Sequence, residues 1–318
     1  MSRKTPGLRG SRRDVLLGAT AGVAAAVMPR AGLAATPTPM RMQDPEWNRD
    51  AFARIQGNLD FGKVKYGWYA GTVCGVRDGE VVRPLMGFEG FSCARLKDNG
   101  DGSYQKLLRE VVYYKDLATG EVMETFLNPY TNEQVRVVPV TNDPFNIVIE
   151  KYYPKGPSYG GLRAQEEERR PMLLPWRMTE PGTVVLQTDI HLFYPSALKP
   201  AEWPRESSGN FVRVSEMFRY VIRRADLEDA TKTSVQHTGS WSRITPWLPW
   251  MLMGQAPGHI FYIGTMGGYD NLDMLSANVR QYAEKNHPKF LDAPTRWEEP
   301  SLSSLEDYAR TQKPAPVK

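Results

Sequence analysis

From Lys63 to Gly264 apolar and polar side chains alternate in short runs. Turn-forming stretches break them: Asp78-Gly79, Asn99-Gly100-Asp101-Gly102, Thr119-Gly120, Asn132-Glu133 and Asn142-Asp143-Pro144. Alternate residues of a strand share a face, and runs of this kind bounded by turn residues predict strands. The spacing predicts them near 64–77, 82–96, 104–115, 121–127, 134–140 and 145–153, then near 183–194, 211–222, 235–244 and 258–265. Their close succession implies an antiparallel meander. About ten such strands suit one antiparallel β-barrel, lipocalin-like in outline. The expected fold is therefore mainly β, with short flanking helices.

Helical signals are few. Asp44 before Pro45 supplies a cap and a first-turn proline, and the pattern stops at Gly57. A helix is predicted over 272–285, and Ser303 with Glu306 offers a capping box for another. Between residues 154 and 182 five prolines and the charge run Glu166 to Arg170 predict a long loop, of the kind that forms a lid or stays irregular. Near 245 a different texture intrudes: Ser240 to Gln255 holds three tryptophans, two prolines and two methionines. Thr245 can cap a helix with Pro246 first, placing Trp247, Trp250 and Met251 on one side. The run reads either as a plug at one end of the barrel or as the wall of an apolar pocket.

The first residues have the composition of an address. Ser11-Arg12-Arg13-Asp14-Val15-Leu16-Leu17 looks like a twin-arginine export signal, followed by an apolar stretch of about 14 residues, Val15 to Met28. A membrane span needs roughly 20, so a cleaved signal is expected over 1–34. The remaining divisions are a segment with a short helix over 35–62, the barrel over 63–270 and a helical tail over 271–318. Loss of 1–34 removes six of the 40 basic residues and one of the 36 acidic ones, leaving a formal charge of −1. That near-neutrality argues against a nucleic-acid partner, which requires a basic face. The expected partners are the twin-arginine export machinery and an apolar or aromatic small molecule, with no stable membrane insertion after processing and no cofactor.

Export to an oxidising compartment would permit a disulfide between Cys74 and Cys93. A hairpin turning at Asp78-Gly79 sets them about ten positions out of register, far beyond disulfide reach, so two buried free thiols are expected.

Candidate chemistry comes from polar residues set singly in apolar rows. Glu216 stands in the row Val212, Val214, Glu216, Phe218, Tyr220, Ile222. An unpaired charge there is costly, so Glu216 is either ion-paired with an arginine of the next strand or an acid–base group. His237, Trp241 and Arg243 share one face of the 235–244 strand, and Glu89 shares one with Phe91 and Cys93. Arg109 and Glu110 are adjacent, so only one faces inward. Gln187, Asp189 and His191 form the polar row of their strand, either the solvated face or the lining of a wet cavity. No zinc-ligand spacing, serine-hydrolase elbow, phosphate loop or dinucleotide fingerprint occurs. A metal is not expected, the one alternative being convergence of Asp189, His191 and His237.

The strings GFEGFSCARL, LLREVVYYKDLATGEVMETFLNP, the NDP at 142–144 and SWSRITPWLPWMLMG resemble the family catalogued as domain of unknown function 1838, over roughly residues 50–265. Onto it fall Gly87, Phe88, Glu89, Gly90, Arg109, Glu110, Asn128, Pro129, Asp189, Glu216, Trp241, Arg243, Trp247 and Trp250. His191 and His237 do not match it. The resemblance brings no established activity. The residues lead to an exported barrel around an apolar or aromatic molecule. Either it runs a cofactor-free isomerisation, elimination or hydration, or it carries its ligand unchanged. In the first case the catalytic set is Glu216, Glu89, Arg109, Arg243 and Asp189, and the ligand-binding set is Trp241, Trp247, Trp250, Phe88, Asn128 and His237.

Overall fold

The computed structural model describes residues 40–141, 146–154, 169–297 and 302–317. The proposed signal peptide, the NDP at 142–144 and residues 155–168 of the expected loop lie outside the described residues. Helix α1 (Pro45–Gln56) is capped as expected: Asp44 Oδ1 accepts from the Glu46 and Trp47 amides, and the helix ends at Gly57. Three long strands follow, β1 (Lys65–Val76), β2 (Arg83–Asp98) and β3 (Tyr104–Lys115). Next come β4 (Thr125–Asn128), β5 (Glu133–Arg136), β6 (Val140–Thr141) and β7 (Ile147–Ile149). The second half holds β8 (Trp176–Glu180), β9 (Thr183–Pro195), β10 (Phe211–Arg223), a short α2 (Arg224–Glu228), β11 (His237–Thr245) and β12 (His259–Tyr269). Helices α3 (Ala277–Asn286) and α4 (Ser304–Thr311) complete the chain, the latter with the anticipated capping box. Among the described residues no helix is long and apolar enough to cross a membrane.

All strands but β4 and β5, which form their own hairpin, join one antiparallel sheet in the order β6-β3-β2-β1-β12-β11-β10-β9-β8, with β7 also on β3. The sheet curls strongly. Strands β3 and β10 are five spacings apart, about 24 Å on a flat sheet. Yet Gln56 of α1 accepts from Lys106 Nζ of β3 at 2.7 Å and donates to the Tyr220 hydroxyl of β10 at 3.0 Å.

The expected barrel does not close. One end of the sheet is β6 and β7, the other β8, and among the described residues a single bridge, Tyr152 with Pro171, lies between them. Proline has no amide hydrogen to continue a ladder, and Pro171 and Pro175 stand where the closing strand would run. Helix α1 occupies the gap instead: Asn48 Oδ1 accepts from the Leu174 amide and from Trp176 Nε1. Strand β8 itself was hidden inside the expected loop.

The inner face and α1 form the main core, in which Val73, Phe88, Tyr114, Leu186, Ile222, Trp241, Tyr262 and Trp250 are buried together. On the outer face α3 and the 3-10 turn Pro288–Leu291 cover β1 to β3, enclosing Phe91, Cys93, Val111 and Tyr113. The outer face of β9 carries exposed Asp189 and His191. Its polar row is therefore the solvated one, and the apolar row Val184, Leu186, Ile190 and Leu192 faces inward.

Both cysteines are free and buried. The β1–β2 turn spans six residues, 77–82, rather than two, and a bulge follows Val73. Cys74 consequently faces Pro84 and Cys93 faces Tyr66, a register that keeps the thiols far apart.

Thr245 does not cap a helix. It ends β11, paired with Ile260, so the ladder holds residues 237–245 extended. Helical geometry appears only as a 3-10 turn, Pro249–Met251, stopped by Leu252 in the left-handed region at φ 56°.

Candidate functional site

Three neighbouring strands set Glu216, Arg243 and Tyr262 side by side on the inner face, since Glu216 pairs with Arg243 and Arg243 with Tyr262. Arg243 Nη1 lies 3.3 Å from Glu216 Oε1, and Trp241 Nε1 donates to Glu216 Oε2 at 3.0 Å. The carboxylate is thus ion-paired, the first of the two readings of its place in an apolar row. The pair is not sealed: the Arg243 side chain is 26% exposed and that of Glu216 19%. Water therefore reaches a charged pair on the inner face.

A fourth strand contributes from further along the sheet. The Tyr114 hydroxyl of β3 meets that of Tyr262 at 2.9 Å, with both side chains buried. Between them Gly71 and Gly264 face each other across β1 and β12. The Phe88 ring lies over Gly264, where an added Cβ would fall 2.8 Å from its Cζ. Phe88 also packs edge-on against Trp241 at 5.5 Å and Tyr262 at 5.4 Å, fixing both rings. Burial raises the Tyr262 hydroxyl well above its ordinary pKa, and the adjacent Tyr114 adds to this against the pull of Arg243. Burial likewise raises Tyr114. Both phenols are therefore neutral at physiological pH, and with one hydroxyl donating to the other, one O–H of the pair is left to donate elsewhere.

A cavity of about 260 Å³ opens beside this group, bounded by Tyr114, Tyr262 and Arg243 at one part of its wall and by Trp247, Leu248 and Trp250 at another. Trp247 is fixed by donating Nε1 to the Ala256 carbonyl at 2.9 Å, and Trp250 packs edge-on to Tyr114 at 5.2 Å. Trp247 and Trp250 of the tryptophan run are buried in the main core and also border the cavity. Asn128 holds it in place: fully buried, it donates to the Met251 carbonyl at 2.8 Å and accepts from the Tyr130 amide. These bonds brace the wall.

Glu89 and Arg109 do not join the site, because both project from the outer face. Glu89 accepts from Lys115 Nζ at 2.8 Å, from the Ser276 amide and hydroxyl at 2.8 and 2.6 Å, and from Trp68 Nε1 at 3.2 Å. Burial alone would raise its pKa, but these bonds together lower it. It fastens α3 to the sheet. Arg109 Nη1 donates to the Lys289 carbonyl at 2.7 Å, so of that adjacent pair Glu110 faces inward, accepting from the Tyr69 hydroxyl at 2.6 Å.

Asp189 and His191 form an exposed pair at 2.8 Å, with His191 Nδ1 also 2.9 Å from Ser215 Oγ. His237 points inward, packed on Tyr220 at 5.0 Å, and so sits on the opposite side of the sheet from Asp189 and His191. The three cannot share an ion, and among the described residues no group of three potential metal ligands occurs.

Sequence reasoning missed Tyr114 and Tyr262, since a tyrosine in an apolar row reads as core. It also missed Lys106, buried with its pKa lowered to about 8 by burial, against the pull of Glu110.

Fold and site together define an open, curled antiparallel-sheet protein with a walled inner cavity. The model of the family described as "Protein of unknown function (DUF1838)" matches residues 62–312, and the chain belongs to that family. Neither the curated proteins nor the solved structures yield a match.

Proposed function

We propose that this chain is an exported protein that binds a small, mainly apolar or aromatic molecule in the inner cavity. The observation that carries the reading is the make-up of the cavity wall. Tryptophan and leucine surfaces lie beside the neutral Tyr114–Tyr262 pair and the partly exposed Arg243. Pockets for small molecules are largely apolar with a few fixed polar groups, and roughly 300 Å³ is the lower end of their usual size. The ligand is therefore compact, with an oxygen acceptor facing the phenols and the guanidinium. Glu216 and Trp241 orient Arg243 toward it. Export by the twin-arginine route rests on Arg12-Arg13 and the apolar stretch after them. The near-neutral charge of the processed chain fits a small-molecule partner better than a nucleic acid.

The test is native mass spectrometry of the processed protein recovered from its own export compartment, followed by organic extraction. A retained small molecule released on unfolding supports the reading. A bare polypeptide whose tryptophan fluorescence also ignores added ethylbenzene refutes it.

A second reading is favoured by the water-accessible position of Glu216: cofactor-free proton transfer, with Glu216 as acid–base and the two phenols steadying charge on a substrate oxygen. Glu216→Gln distinguishes the two readings once a turned-over compound is known. Unchanged turnover would remove Glu216 as the catalyst and leave carriage.

A further inference from the structure

The cavity has a second polar wall that the tyrosine and arginine group does not explain. Glu206 lies there, in the connection between β9 and β10, and is only 3% exposed. Its Oε1 accepts from the Ala315 amide at 2.5 Å, which ties down the C-terminal segment. Its Oε2 is buried and, among the described residues, receives no hydrogen bond. The nearby cations are otherwise placed. Arg205 is turned to Glu133 and to the Pro316 carbonyl. Arg136 borders the cavity but is exposed, and it donates nothing to Oε2. Tyr308 of α4 stands on the same wall, packed edge-on to Trp203 at 5.8 Å.

A buried carboxylate oxygen without a donor is costly, and such groups in folded proteins are normally satisfied by an unseen water, ion or ligand. Here the unsatisfied oxygen belongs to a residue that borders a cavity large enough for a ligand. We infer that Glu206 is a ligand-binding residue, its Oε2 receiving a hydrogen bond from a protonated amine carried on the small apolar or aromatic molecule that fills the cavity. The inference rests on the binding function proposed above and adds the chemistry of the ligand's other end. An ammonium suits the position because a charge-assisted bond to a carboxylate is about twice as strong as a neutral one.

Three probes of similar shape test this by calorimetric titration of the processed protein: 2-phenylethylamine, 2-phenylethanol and ethylbenzene. The expected result is that the amine binds at least about tenfold more tightly than ethylbenzene, equivalent to about 1.4 kcal/mol. Glu206→Gln, which can keep the bond from Ala315, should bring the two within about twofold while ethylbenzene affinity stays unchanged. Asp307→Asn provides a control on the same wall, because Asp307 is already held by Arg310 at 2.6 Å, and it should leave the amine preference intact. Ethylbenzene binding as tightly as the amine in the unaltered protein overturns the assignment of Glu206 and leaves the cavity reading standing. So does an amine preference that survives Glu206→Gln or disappears equally in Asp307→Asn. Failure of all three probes to bind overturns both.

Discussion

Replacing Lys106 by methionine tests the description of the inner face most directly. Lys106 is 6% exposed, and burial lowers its pKa from the ordinary 10.5 to about 8. The unfolded chain therefore holds a proton that the native state releases earlier. Where the unfolded state binds more protons, stability rises with pH. Each tenfold change in proton affinity is worth about 1.4 kcal/mol, so the displacement costs on the order of 3 kcal/mol below pH 8. Integrated between about pH 8 and pH 10, roughly 2 kcal/mol of that cost is relieved.

Lys65, 2% exposed and likewise lowered to about 8 by burial, supplies a similar rise. The buried tyrosines act oppositely. Burial raises Tyr114 and Tyr262 above the ordinary 10.0 and Cys93 from 9.0 to about 12, so the native state holds those protons longer and stability is lost as pH rises through about 9 and 10. The lysine gain therefore overlaps these losses above about pH 9.

Methionine fits the place of the lysine stem. It leaves Gln56 Oε1 without its donor, which changes the baseline stability but not its slope with pH. Because those opposing losses are shared by both proteins, urea denaturation at about pH 8 and pH 10 should show a change in stability about 2 kcal/mol less favourable for Lys106→Met than for the unaltered protein. An identical change between the two pH values in both proteins would show that the ammonium is solvated in the native state, and the packing deduced around α1 would be wrong.

Three further outcomes follow from the same geometry. Burial, with Lys65 nearby, lowers His237 from 6.5 to about 3, so stability should fall by about 1.4 kcal/mol for each pH unit below 6.5. His237→Phe should remove that part of the acid loss, as read by thermal unfolding between about pH 6.5 and pH 4.5; an identical acid profile would contradict its burial. Asn128→Ala, which strands the Met251 carbonyl and the Tyr130 amide, should cost about 2 kcal/mol in a denaturant titration; a loss below about 0.5 would mean that Asn128 does not brace the tryptophan wall. Burial raises the Cys74 thiol and pushes that of Cys93 up to about 12, so a chromogenic thiol reagent should react slowly with the native protein and titrate two thiols after unfolding. Rapid native reaction of both would refute their burial.

The local elements were largely legible in the chain because their causes are local. Asp44 and Pro45 start α1, Ser303 and Glu306 cap α4, and the alternation of apolar side chains marks β1, β2, β3, β9, β10, β11 and β12 to within a few residues. The same alternation aligned Glu216 in one row and Trp241 with Arg243 in another, and both rows do face inward. Alternation says which residues share a face, but not which face the rest of the chain will cover. That is why Glu89 and Glu216, alike in sequence, lie on opposite sides of the sheet, one under α3 and one beside the cavity. Closure was equally hidden, because it depends on what meets across the gap between the first and last strands. There Pro171, Pro175 and α1 take the place of a continuous ladder. Tyr114, Tyr262, Arg243 and Glu206 come from strands and a connection scattered from residue 114 to residue 262. Only the curl of the sheet brings them round one cavity, since a curl is a property of all its strand pairings and of no single segment.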